Sequence, residues 1–219
     1  MILGASFWEY VSDQRDRLIG LMIEHAQIVL VSIGLAIVIG VGLGVLTYRT
    51  ERPRVAVLAV TGVFLTIPSF ALFGLLISPL GLGTKPAVVA LVMYALLPIV
   101  RNTITGLREV DPAIVESAQG MGMGRWRRLA RIELPLAWPI IITGIRVSTQ
   151  ILVGIAAIAA VINGPGLGKD IFRALARVGT PTALNQALAA VLGIVILGLI
   201  LDVAYLVIGR LTTSRGLRD

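Results

Sequence analysis

The residues best suited to chemistry gather in one run, Glu116 to Pro135, ESAQGMGMGRWRRLARIELP, which is strongly basic and lies between long apolar stretches. Arg125, Arg127, Arg128 and Arg131 do not belong in an oil-like interior, where an unpaired charge is expensive to bury. They suit a loop that docks onto a partner. Two further charges, Arg146 and Asp202, fall inside apolar segments at similar depth. Burying either alone would be costly, so they are expected to form an ion pair, structural rather than gating. Glu24 and His25 precede the first apolar run and are read as interfacial. A lone His, with neither Cys nor a second His at helical spacing, makes a poor metal site. No nucleophile or metal pattern has supporting context, so no catalytic residue and no metal ligand is expected. The run Gly164 to Asp170 comes near a phosphate-binding loop, but it is one residue short and Asp170 stands where Ser or Thr is needed. The chain is therefore not expected to hydrolyse ATP.

The elements that must position these residues follow from composition. Of 219 residues, 57% are hydrophobic and 14% charged, against roughly 25% charged in soluble domains. Four apolar runs, Ile28 to Leu46, Val55 to Ser78, Leu136 to Ile162 and Ala183 to Ile208, approach or exceed the roughly 20 residues that cross a bilayer. A fifth, Ala87 to Val100, is shorter but extendable. Unbroken apolar runs without strict alternation favour helices over a barrel. The expectation is an all-α membrane protein of five transmembrane helices, a single domain over 1–219 with its largest loop at about 109–135. The first span follows the polar stretch Ser12 to Arg17 and lacks a small-residue cleavage site, so it reads as a helix and not a leader. Absence of Cys excludes disulfides and thiolate metal sites. Gly40 and Gly44 form a ridge for close packing against another span.

Orientation follows from Lys and Arg. One set of loops holds 12 of the 19 basic residues, from Arg49 through the Arg125 cluster to Arg218, and the other holds 6. The richer side is expected to be cytoplasmic, with the N-terminus outside and the C-terminus inside. The net charge of +7 then reports topology and contact with anionic lipid, and its spread over separate loops does not fit nucleic-acid binding. By this count Gly164 to Gly168 is an external turn, followed by a short helix from Ile171 to Val178 that helps receive an external binding protein.

Within the large loop, Asp111-Pro112 reads as a helix start, and Glu116 falls in an early turn favoured by the helix dipole. A helix from Pro112 to Met121 is predicted, then a turn at Gly120, Gly122 and Gly124, then a second helical stretch from Arg125 to Ile132 that ends before Pro135. An amphipathic helix lying on the membrane would also use Arg and Trp126, but it would not need three alternating glycines. The segment resembles the coupling motif of permease subunits in binding-protein-dependent ABC importers. That motif is a Glu-Ala-Ala triplet, three residues, Gly, nine residues, Ile, one residue, Leu-Pro. Glu116-Ser117-Ala118, Gly122, Ile132, Leu134 and Pro135 stand at those spacings, with Ser117 the one departure.

The resemblance implies that Glu116, Ser117, Ala118, Gly120, Gly122, Arg125, Arg128, Ile132, Leu134 and Pro135 couple the chain to an ATPase. It also implies a cytoplasmic ABC ATPase dimer carrying ATP and Mg, an extracytoplasmic substrate-binding protein, and a second permease copy or paralogue in a bacterial plasma membrane. No cofactor on this chain itself is implied. Ile67-Pro68-Ser69, Gly81 to Pro86, Tyr94 to Thr103 and Gly164 to Gly168 resemble the permeases that import glycine betaine, carnitine or choline. The implied fold is the five-helix core shared by methionine and betaine permeases. Methionine or another amino acid is the alternative substrate, and an autonomous secondary transporter or channel is the alternative class. The 3 Trp, 4 Tyr and 5 Phe are too scattered for an aromatic cage, so specificity is expected in the binding protein. Pro68 and Pro98 are expected to bend their spans. Thr66, Pro68, Ser69, Phe70, Tyr94 and Pro98 then either bracket a pathway or serve helix packing.

Overall fold

The computed structural model describes residues 6–212, and all regular structure among them is helical. Arg215 and Arg218, counted above for orientation, lie outside the described residues. Helix α1 (Phe7–Asp13) begins with a capping box between Ser6 and Glu9. Helix α2 (Arg15–Thr47) is 33 residues long, roughly 50 Å at 1.5 Å per residue. It starts well before the apolar run at Ile28, so Glu24 and His25 lie inside it. His25 is fully buried, not interfacial. Its Nε2 lies 3.0 Å from the carbonyl of Val153, and because that partner only accepts, Nε2 carries the proton.

The second apolar run is two helices, α3 (Glu51–Thr66) and α4 (Ser69–Leu80), meeting at 102°. Ile67 takes extended backbone angles and Pro68 opens α4. Proline disfavours helical geometry at the preceding residue and offers no N–H, and here the break falls at Ile67-Pro68. Helix α5 (Thr84–Arg108) continues through Pro98 without the break seen at Pro68. It is the central helix, packed against α2 and against the later helix α8 (Leu134–Ala156). Asn102 Nδ2 donates to the Pro98 carbonyl at 2.8 Å.

After the loop come α6 (Pro112–Gly120), α7 (Arg125–Arg128), a π-helical turn at Leu129–Glu133 and α8 (Leu134–Ala156). Residues 125–156 run as one continuous helical span. The sequence placed the end of the second helical stretch before Pro135, but the helix continues; Pro135 is the second residue of α8, directly after the π-helical turn. A 3₁₀ turn (Ile158–Ile162) leads to α9 (Gly168–Leu175), three residues earlier than predicted, and then to α10 (Ala183–Thr212). The helices long and apolar enough to cross a membrane number four among the described residues, or five with α3 and α4 counted as one bent span.

The core lies where α2, α5 and α8 meet, around Val29, Ala36, Leu91, Tyr94, Ile99, Ile141 and Leu152. The glycine ridge of α2 faces α5 of the same chain: a Cβ at Gly40 would stand 2.8 Å from Ile99, and one at Gly44 2.5 Å from Thr103. Helix α10 differs, with only 11% of its apolar window buried against 56% for α5. Its remaining apolar surface is left for lipid or another chain.

Candidate functional site

The basic segment is built from its caps inward. The Asp111 carboxylate accepts from the Ala113 amide at 2.8 Å, and Pro112 occupies the first turn of α6. Ser117 turns its hydroxyl back to the Ala113 carbonyl at 2.8 Å, so the residue that departs from the motif is satisfied within its own helix. Ala118 is buried while Glu116, Ser117, Gly120, Met121 and Trp126 are exposed. Among the three glycines, Gly122 alone has positive φ, +78°. It makes the turn that L-residues resist. Arg125 lies over the Trp126 ring at 5.7 Å. Ile132 and Leu134 are half-buried and Pro135 is exposed.

Arg128 parts company with its neighbours. Arg125, Arg127 and Arg131 are exposed, but Arg128 is buried and donates from Nε to Glu133 Oε1 at 2.8 Å. Glu133 is itself 2% exposed. It also accepts from Arg49 Nη2 at 2.8 Å and from the Tyr48 hydroxyl at 2.6 Å. Arg49 Nε in turn donates to the Tyr48 oxygen. Burial, then the adjacent carboxylate, push the Tyr48 phenol above its ordinary pKa. A buried carboxylate with three donors is satisfied, and losing donors would leave charge stranded. Glu133 therefore fastens the start of α8 to the end of α2. A cleft of 540 Å³ opens beside it, with Glu116, Gln119, Arg108, Arg128 and Glu133 on its wall.

Sequence reasoning singled out Arg128 but passed over Glu133, Tyr48 and Arg49. The available signal was small: an acid between two motif positions, and a Tyr-Arg pair at the end of the first span.

The residues expected near a pathway partly gather. Tyr94 is 2% exposed and donates to the Ile67 carbonyl at 2.6 Å, which brings α5 against the α3–α4 break. Thr66, Pro68 and Phe70 are exposed at that break, with Ser69 half-buried. Pro98 lies one turn along α5 from Tyr94, half-buried. Arg146 meets Asp202 through two bonds, Nε to Oδ1 at 2.6 Å and Nη2 to Oδ2 at 2.7 Å, and Gln150 Nε2 reaches Oδ1 at 3.4 Å. Among the described residues, no group of three or more His, Cys, Asp or Glu is placed to hold a metal.

Residues 36–214 match the family described as "Binding-protein-dependent transport system inner membrane component". The chain belongs to this family. It is 40% identical to the osmoprotectant import permease protein OsmW of Salmonella typhimurium over 215 residues, covering 95% of this chain and 98% of that one. It is 39% identical to the glycine betaine/carnitine/choline transport system permease protein OpuCB of Bacillus subtilis, over 89% of this chain and 88% of that one. Among solved structures, a chain of the inward-facing MetNI methionine ABC transporter superposes with a TM-score of 0.80 at 24% identity, covering 90% of this chain and 96% of that chain. That likeness establishes the fold. The expected methionine-permease-like helical core is borne out. This inner membrane component is thus an ABC importer permease, and its relatives are translocation components.

Proposed function

We propose that this permease imports quaternary-amine osmoprotectants such as glycine betaine, choline or carnitine. The observation that carries the substrate class is the near-full-length identity, about 40%, to relatives named for those solutes. In this reading the energy comes from a separate cytoplasmic ATPase dimer that binds ATP and Mg, and the solute comes from an external binding protein. A second permease, identical or paralogous, completes the path. The N-terminus faces outside and the C-terminus inside, supported by the two-to-one excess of basic residues on one set of loops.

Coupling is assigned to α6 and the turn after it. Exposed Glu116, Ser117, Gly120 and Arg125 meet the ATPase. Ala118, Gly122, Ile132, Leu134 and Pro135 hold the segment in shape, and Arg128 joins the segment to Glu133. ATP-driven closure would then move α6 and, through Glu133, the spans behind it. The path is assigned to the α3–α4 break, where Thr66, Pro68, Ser69, Phe70 and Tyr94 converge, with Pro98 next along α5.

Replacement of Glu116 by Lys or Gly122 by Asp tests the coupling assignment. Uptake and stimulated ATP hydrolysis should both fall while membrane insertion persists, and unchanged uptake in both variants would overturn it. Labelled uptake of glycine betaine, choline, carnitine and methionine by the reconstituted complex tests the substrate. Methionine transport without the other three would move the chain to the amino-acid importers whose fold it shares.

A further inference from the structure

Helix α2 is fastened at both ends to buried carboxylates that other elements supply. At one end Tyr48 and Arg49 hold Glu133, as described above. At the other, Arg17 Nη1 donates to both oxygens of Asp170, at 2.6 and 2.7 Å. Asp170 is completely buried in α9. It also accepts from Gln186 of α10 at 3.2 Å, with Arg173 at 3.5 Å. The rest of the Arg17 guanidinium is spoken for by Gln14 at 2.8 Å and Tyr10 at 2.9 Å.

Two more ties lie just inside that end. Glu24 accepts from Lys169 Nζ at 2.8 Å and from the Gly166 amide at 3.1 Å. Gly166, at φ +105°, presses on His25 so closely that a Cβ there would stand 2.8 Å from its ring. Between the two ends, the buried polar tie of α2 to α8 is the neutral hydrogen bond from His25 Nε2 to the Val153 carbonyl, and α2 touches α5 through glycines and aliphatic side chains. Such dispersion contacts are non-directional and yield to sliding more readily than charged hydrogen bonds.

We propose that α2 is a strut between the basic segment and α9, with Arg17 and Asp170 as positioning residues at its far end. From Arg17 to Tyr48 the helix spans about 46 Å at 1.5 Å per residue. A displacement of Glu133 carries Tyr48 and Arg49 with it, because separation would break the charged hydrogen bonds that both make to a buried carboxylate. The stiff helix delivers that displacement to Asp170 and α9. The strut rests on the permease reading, in which α9 faces the binding protein. It therefore predicts that occupancy of the external face is reported to the ATPase through the Arg17–Asp170 pair.

The test uses the complete complex in proteoliposomes, with its binding protein and saturating glycine betaine, and reads the ratio of stimulated to basal ATP hydrolysis. The double variant Arg17→Gln with Asp170→Asn removes both charges and leaves neither stranded. It should keep basal hydrolysis and lose stimulation at least threefold. Arg17→Lys retains the cation without the fork of the guanidinium and should fall between the double variant and wild type. A folded double variant with full stimulation overturns the strut, and so does Arg17→Lys that matches wild type. Absence of stimulation in the wild-type complex overturns instead the permease reading on which the strut depends.

Discussion

The two buried carboxylates, Glu133 and Asp170, solve the same problem with different redundancy. Both are essentially inaccessible, and each is met by an arginine of the α2 end about a third exposed, Arg49 for Glu133 and Arg17 for Asp170. Glu133 has three close donors from two parts of the chain, Tyr48, Arg49 and Arg128. Asp170 has one hydrogen-bonded arginine, Arg17, with neutral Gln186 and a longer ion pair to the exposed Arg173 at 3.5 Å. The Glu133 end keeps a hydrogen-bonded arginine when it loses one; the Asp170 end keeps only the longer pair with Arg173. That teaches which end of α2 better withstands the loss of a single partner, and it is the end at the basic segment.

The sharpest way to break this comparison is to remove each arginine. Arg17→Met leaves buried Asp170 with only the longer Arg173 pair, at 3.5 Å, and should destabilise the purified complex by about 3 kcal/mol or more, read from unfolding in mild detergent. Arg49→Met leaves Arg128 and Tyr48 in place, so its effect should be nearer 1.5–3 kcal/mol, the range for a hydrogen bond to a charged group. Equal losses in the two variants would show that the redundancy at Glu133 is worthless. The glycines separate the ends further. Gly122→Ala meets open space and costs only the left-handed backbone, about 1–2 kcal/mol. Gly166→Ala adds contact with His25, and overpacking of that kind costs a further 1–3 kcal/mol or so; a Gly166→Ala protein as stable as Gly122→Ala would contradict the close packing there. Tyr48→Phe deletes one neutral donor to the Glu133 carboxylate and should fall at the low end of the range for Arg49→Met, about 1.5 kcal/mol, detectable as a modest shift in the same unfolding curves.

The reading from sequence was accurate wherever chemistry is local. Asp111-Pro112 starts a helix because a carboxylate can cap its own following amides, and that needs no distant partner. Pro68 breaks its span for an equally local reason. Pro98 is the same residue type with a different outcome: α5, packed against α2 and α8, continues through it. Arg128 and Glu133 show a second kind of blindness. Residues five apart do not face each other on an α-helix, yet the π-helical turn between them changes the phase and brings them to 2.8 Å. Likewise His25 looked interfacial because its neighbours in sequence are polar, whereas the loop at Gly166 covers it and binds the half-exposed Glu24 beside it.

By itself the sequence determined that the chain crosses a membrane several times, where its large basic loop lies, and that this loop has the spacing of an importer's coupling motif. These are properties of composition and of short-range geometry, which each segment carries with it. Only the tertiary structure decided which arginine of the cluster turns inward, which helix the α2 glycines meet, and that both ends of α2 are tied to carboxylates up to 153 residues away. Those pairings depend on the phase and depth at which separate helices pack, and no stretch of chain holds that information alone.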